Sequence, residues 1–430
     1  MTGAPGWSVD FVGGWYWLGF GMLLLCNVKI NLALRMAFCY LCVMESNEIK
    51  PRYELLDGLR GVAAVLVIWY HFFEGFATSA VDQMMNHGYL AVDFFFVLSG
   101  FVLGYAYDGR WSRGMTARRF MTRRVIRLQP MVVLSVVLGA VAYLVQGGVR
   151  WDGTPVPVSM LLLSLLLGLF LIPVMPGWGA DVRGNGEMFP LNGPSWSLFF
   201  EYIGSVLYAM VLHRLSNRAL AGVVAVSAAG LAACAFCDMS GACHLGVGWT
   251  AGDWGWAGGF MRLSFSFSAG LLLSRTFRPR RVRGAFWICA CVIAAVMATP
   301  YVSIDGGPSR WNALFDVTCT LFVFPLLVYT GACGVVSDRF SVRICSMLGR
   351  LSYPVYIIHY PVMYLFYAWV WAHGYAFGAV WPVCVGLFVL IIVMAWVAMR
   401  FYDTPVRRLL TKKCSSRRVY ILLFLTLHEY

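Results

Sequence analysis

Apolar residues dominate the chain in continuous runs, at about 15–43, 59–77, 88–107, 130–147, 158–174, 195–213, 219–237, 257–274, 284–301, 313–331, 353–372 and 379–401. Runs of ~20 apolar residues match helices crossing a ~30 Å hydrocarbon layer. They are continuous and do not alternate, which excludes the strand pattern of an outer-membrane barrel. The pattern therefore predicts an all-α, polytopic transmembrane helical bundle. Polar breaks separate the runs, and their charge predicts the topology. Basic residues crowd the breaks at 108–129, 275–283 and 332–352 and the tail beyond 400, which are assigned to the cytoplasm. The breaks at 78–87 and 238–256 hold no Lys or Arg and are assigned to the outside. Alternation fails between 130 and 214 unless one run does not cross. The run at 158–174 is short and flanked by Pro155, Pro157, Pro173 and Pro176, so it is expected to be re-entrant. About ten spans remain.

The first run stands apart. Asn27, Lys29, Asn31 and Arg35 interrupt it, and Met44 opens a stretch that reads as an ordinary cytoplasmic start. The expected organisation is a hydrophobic extension at 1–48, either an extra helix or a start-site artefact, a membrane domain at 49–408, and a basic cytoplasmic tail at 409–430.

Composition agrees with this picture: 60% of residues are hydrophobic and 12% charged, which excludes a soluble or disordered chain. The net charge of +13 lies in clusters beside apolar runs. It is read as a topology signal, and no nucleic-acid partner is expected. Cys234, Cys237, Cys243 and His244 approach a zinc spacing, but cysteine in so apolar a chain is usually a small buried hydrophobe, and no metal is expected.

Ionisable groups inside spans are costly and mark functional candidates. Arg60 and His71 share the first core span. Eleven residues separate them, which returns to nearly the same helix face about 16 Å further along. Glu74 follows His71 by one turn. Histidine is suited to proton transfer near neutral pH. Asp93 precedes an aromatic run with Ser99 and Gly100 beyond it, a small pair that also permits close helix packing. Glu201 lies one to two turns inside the span opened by Ser195 and Trp196, and His359 lies mid-span after Tyr353 and Tyr356. Each also has a plainer reading: a snorkelling arginine, a packed histidine, a structural ion pair. In "RRFMTRRVIRLQP", Arg123 and Arg127 are four apart on one helix face, and Arg124 lies beside them. Stacked guanidinium groups suit a phosphate-rich ligand. No Walker or Rossmann fingerprint occurs.

Taken in order, these segments resemble the acyltransferase-3 family of membrane O-acyltransferases. The resemblance runs from about Tyr53 to Arg408. It is carried by Arg60 to His71, by Gly88 to Phe101, and by Arg123, Arg124, Arg127 and Pro130. Trp196 to Glu201, Leu348 to His359, and Asp403, Pro405 and Arg407 continue it. The resemblance implies transfer of an acyl group, acetyl foremost, from cytoplasmic acyl-CoA to a hydroxyl of a saccharide or lipid-linked glycan. It implies a place in the bacterial inner membrane, in polysaccharide biosynthesis, with membrane lipid around it and acyl-CoA as donor substrate in place of a resident cofactor. Arg123, Arg124 and Arg127 would dock the donor. Arg60 would hold donor phosphate or the acyl carbonyl. His71 would act as general base or carry the acyl group, with Glu201 or Asp93 orienting it. Trp196, Ser99, Tyr353 and His359 would bind substrate. The rival is a transporter or flippase without chemistry; internal repeats would favour it, and the Arg60–His71 pair has no counterpart in the second half.

Overall fold

The computed structural model describes residues 53–414 except 80, 253, 336 and 337. The N-terminal extension and the tail beyond 414 lie outside the described residues. Helices account for nearly all the regular structure; the strands are the two-residue pair Ser303–Ile304 and Gly307–Pro308.

Eleven helices follow one another among the described residues. They are α1 (Glu54–Glu74), α2 (Asn86–Trp111, opening in a 3-10 turn), α3 (Ala117–Val145), α4 (Val158–Leu169), α5 (Ser195–Met210), α6 (Asn217–Phe236), α7 (Gly255–Thr276), α8 (Ala285–Ala298), α9 (Arg310–Cys333), α10 (Arg339–His373) and α11 (Phe377–Cys414). Seven of them, α1, α2, α3, α6, α9, α10 and α11, are long and apolar enough to cross a membrane. That is fewer than the ten spans expected, because α5 and α8 are short and α7 carries Arg262 and Arg275. The 158–174 run forms only the twelve-residue α4. At 1.5 Å per residue it reaches ~18 Å, short of the hydrocarbon thickness.

Local chemistry sets the helix ends. The Thr116, Ser216, Ser309 and Asp338 side chains accept N-terminal backbone N–H groups of α3, α6, α9 and α10. Gly374, at φ 64°, ends α10 in the left-handed conformation that glycine adopts without strain.

Two parallel helix pairs position the site. In the first, α1 lies along α10: Arg60 Nε donates to Ser352 Oγ at 3.0 Å near one end, and Trp371 Nε1 donates to the Gly75 carbonyl at 2.9 Å near the other. In the second, α2 lies along α7, with Asp93 against Arg262 at one end and Asp108 against Arg275 at the other. Here the backbones touch. A Cβ on Gly100 would sit 2.0 Å from the Phe267 carbonyl oxygen, and one on Gly270 would sit 2.0 Å from that of Val97. The close packing expected of the Ser99-Gly100 pair is thus between α2 and α7.

Candidate active site

Two cavities lie one above the other between these pairs, and both are lined by Val92 and Tyr356. The first faces the end of the bundle where the arginine-rich break at 108–129 lies. Its walls come from α1, α2, α3, α5 and α10, and its polar lining is Arg60, Ser99, Arg124, Arg127, Ser197, Glu201, Ser352 and Tyr353. At about 90 Å³ it is narrow. Arg124 pairs with Glu201 and also donates from Nε to Ser205 Oγ at 3.2 Å. Ser99 Oγ donates to the same carboxylate at 2.9 Å. Arg60 is braced by Asp57 at 3.0 Å and by Ser352. Tyr353 donates to the Leu128 carbonyl at 2.6 Å, which ties α10 to the arginine helix.

The second cavity, about 330 Å³, opens towards the segments that carry little positive charge. Here His71 Nδ1 lies 2.7 Å from Glu74 Oε2. An ionised carboxylate only accepts, so Nδ1 carries a proton, and in the neutral ring Nε2 is then the nitrogen with the free lone pair. The Tyr367 hydroxyl lies 2.8 Å from both Glu74 Oε2 and the His71 carbonyl. The His71 ring also stacks on His359, with centroids 5.2 Å apart. Trp151, Trp196, Trp249, Tyr360, Tyr364 and Trp371 supply much of the wall.

This arrangement corrects several expectations. Neither Glu201 nor Asp93 bonds to His71; the orienting acid is Glu74. Glu201 serves the arginines of the first cavity. Asp93 is fully buried and takes the Arg262 guanidinium at 3.1, 3.2 and 2.7 Å. The expected face through Arg123 and Arg127 is replaced by one through Arg124 and Arg127, three apart; Arg123 is exposed and lines neither cavity. Ser99 and Tyr353, expected to bind substrate, line the arginine cavity. His359 is fully buried and lines neither cavity, so it meets the site through the His71 ring. Trp196 does line the second cavity, and its ring lies 5.3 Å from the Arg262 guanidinium. Among the described residues no group of three His, Cys, Asp or Glu is placed to hold a metal.

Three residues went unread in the sequence. Arg262 carried the usual signal, a charge inside an apolar run, and was overlooked. Arg183 and Glu187 carried none, because they lie on the break between α4 and α5. Arg183 is fully buried, 3.7, 4.7 and 5.1 Å from the ring centres of Tyr364, Trp151 and Tyr143. It donates to the Pro190 carbonyl and to Gln146. Glu187 lines the second cavity and accepts from Tyr364 Oη at 2.5 Å and Asn185 Nδ2 at 2.9 Å. Burial pushes its carboxyl up to about 7.

The family model described as an acyltransferase domain matches residues 53–400. The chain belongs to this family. It is an acyl-transferring enzyme with several helices able to span a membrane. It is 36% identical over 193 residues to protein 2 in the picA locus of Rhizobium radiobacter, covering 43% of this chain and 94% of that protein. It is 24% identical over 319 residues to the putative membrane-bound transacylase BcsY of Komagataeibacter xylinus, covering 73% of each. To the O-acetyltransferase OatA of Staphylococcus aureus it is 23% identical over 389 residues, covering 83% of this chain but 58% of that protein. No solved structure matches the chain.

Proposed function

We propose that this acyltransferase lies in the bacterial inner membrane and moves an acyl group, acetyl foremost, from cytoplasmic acyl-CoA to a hydroxyl of a saccharide or lipid-linked glycan. The observation that carries the reading is the meeting of the two cavities at Val92 and Tyr356, with Arg60 on one and His71 on the other. The arginine cavity is too narrow for a nucleotide. The donor's phosphates therefore stay at the basic mouth, against Arg127, while its slender acyl-bearing arm passes Arg124 and Arg60 towards Tyr356.

On the far side the acceptor hydroxyl meets His71. His71 Nε2 takes the hydroxyl proton as the oxygen attacks the thioester carbonyl. Collapse of the intermediate breaks the C–S bond, and the imidazolium returns the proton to the departing thiolate. Glu74 holds the ring and matches its transient charge. The buried aromatic walls exclude water, which limits hydrolysis of the donor.

The test is acyl-CoA binding to the purified full chain in detergent. Saturable binding that weakens roughly tenfold or more in Arg60→Ala supports the reading, the loss of a charge-assisted contact being worth ~1.5–3 kcal/mol. Absence of saturation at millimolar acetyl-CoA and longer acyl-CoAs overturns it and favours the transporter.

A further inference from the structure

The His71 cavity does not end at its own walls. A second space of about 470 Å³ adjoins it, and the two share Tyr70, Tyr89, Gly246 and Trp249. This neighbour takes no part in the acyl transfer described above. Its lining is polar and uncharged: among the described residues no Lys, Arg, Asp or Glu faces it. Gln83 Nε2 is buried on its wall, close to Tyr70. His244 Nδ1 accepts the Gly246 N–H at 2.9 Å, and burial holds that imidazole down to about 4. His244 is therefore neutral there. Trp249 and Trp254, 42% and 53% exposed, offer flat apolar faces at the opening.

The charge of the His71 cavity, by contrast, is one-sided. Its one arginine, Arg262, is matched by Asp93 and donates further to the Tyr89 and Val247 carbonyls, each at 2.8 Å. Glu74 and, above about pH 7, Glu187 remain as carboxylates on the wall. Carboxylates, an amide and aromatic faces suit a polyol, whose hydroxyls donate to the first and whose C–H faces stack on the last. They do not suit an anion, which would lose its water and, among the described lining residues, meet no Lys or Arg but the already paired Arg262.

We propose that the two spaces form one elongated acceptor site for an uncharged oligosaccharide of two or more sugars. The acylated sugar lies at His71 and the next ones lie over Trp249 and Trp254. Glu187 disfavours chains that carry uronate, phosphate or sulfate. The inference rests on the acyltransferase reading for its direction, but it is tested by saccharide binding without donor.

The experiment uses the purified full chain in detergent at pH 8 and follows tryptophan fluorescence. The probes are neutral gluco-, galacto- and manno-oligosaccharides of one to six sugars and the same chains oxidised to carboxylate at C6. At least one neutral series saturates, with affinity rising tenfold or more from the single sugar to the tetramer. Its oxidised counterpart binds at least tenfold more weakly. Trp254→Ala flattens the dependence on length, and Glu187→Gln narrows the neutral-to-oxidised ratio at least threefold. Equal or tighter binding of the oxidised chains, no dependence on length, or no saturable neutral series overturns the proposal. A chain that binds acyl-CoA but no neutral saccharide overturns this inference alone. One that binds neutral oligosaccharides by length but no acyl-CoA overturns the donor assignment alone.

Discussion

The two cavities share a wall and differ in nearly every other respect. One is narrow and lined by three arginines; the other is wide and lined by two carboxylates, a histidine and aromatic rings. The difference follows from how each handles charge. Around the arginines a single glutamate, Glu201, is bound to Arg124, and Arg60 is held by Asp57 and Ser352. Positive charge is thus in excess, and a polyanion is welcome. On the other side Arg262 is closed off by Asp93, and negative charge is in excess. Two cavities of opposite electrical character therefore meet at a common point, near Tyr356.

The sharpest way to break this comparison is His71→Ala. A general base contributes ~10²–10⁴-fold, so transfer falls by that factor while acyl-CoA binding, read in the other cavity, persists. Full activity removes His71 from the chemistry. Next in size is the buried Asp93–Arg262 pair. Arg262→Met alone strands a buried carboxylate and costs ~3–5 kcal/mol, seen as a lower thermal midpoint in detergent. Adding Asp93→Leu recovers most of that loss; no recovery shows that the pair does more than balance charge. Arg127→Ala weakens acyl-CoA binding about tenfold and leaves saccharide affinity as it was. Equal weakening of both dissolves the division between the cavities.

The most gradual effect is a pH dependence. The folded Glu187 carboxyl sits at about 7, above its ordinary 4.5, so the folded state holds the proton more tightly than the unfolded chain. Its contribution is therefore most favourable below 4.5, is lost as pH rises towards 7, and is level above that. The span is on the order of 3 kcal/mol. Glu187→Gln removes this slope between pH 5 and 8. An unchanged slope assigns it to other groups.

Much of the bundle was legible because its signals are local. An apolar run states its helix wherever it packs, and a charge inside such a run stands out, as Arg60, His71, Asp93, Glu201 and His359 did. Partner choice was not legible. Asp93 and Arg262 are far apart in sequence, and only the backbone-to-backbone contact at Gly100 and Gly270 brings them together. A four-residue step put Arg123 with Arg127, whereas the face that α3 turns to Glu201 is that of Arg124 and Arg127. Glu187 stayed hidden because a loop acid has no cost to explain until the loop is seen to be buried.

Arg60 and His71 stand on one unbroken helix, α1. A helix is stiff, so their backbones stay about 16 Å apart along its axis, a gauge that only the reach of the two side chains can adjust. A donor gripped at the arginine end delivers its carbonyl to His71 only if head and reactive carbon lie at least that far apart. A small activated acyl compound, such as an acyl phosphate, carries its charge next to its carbonyl and falls short. On the proposed reading the bundle selects its donor by reach before any contact with the acyl group itself.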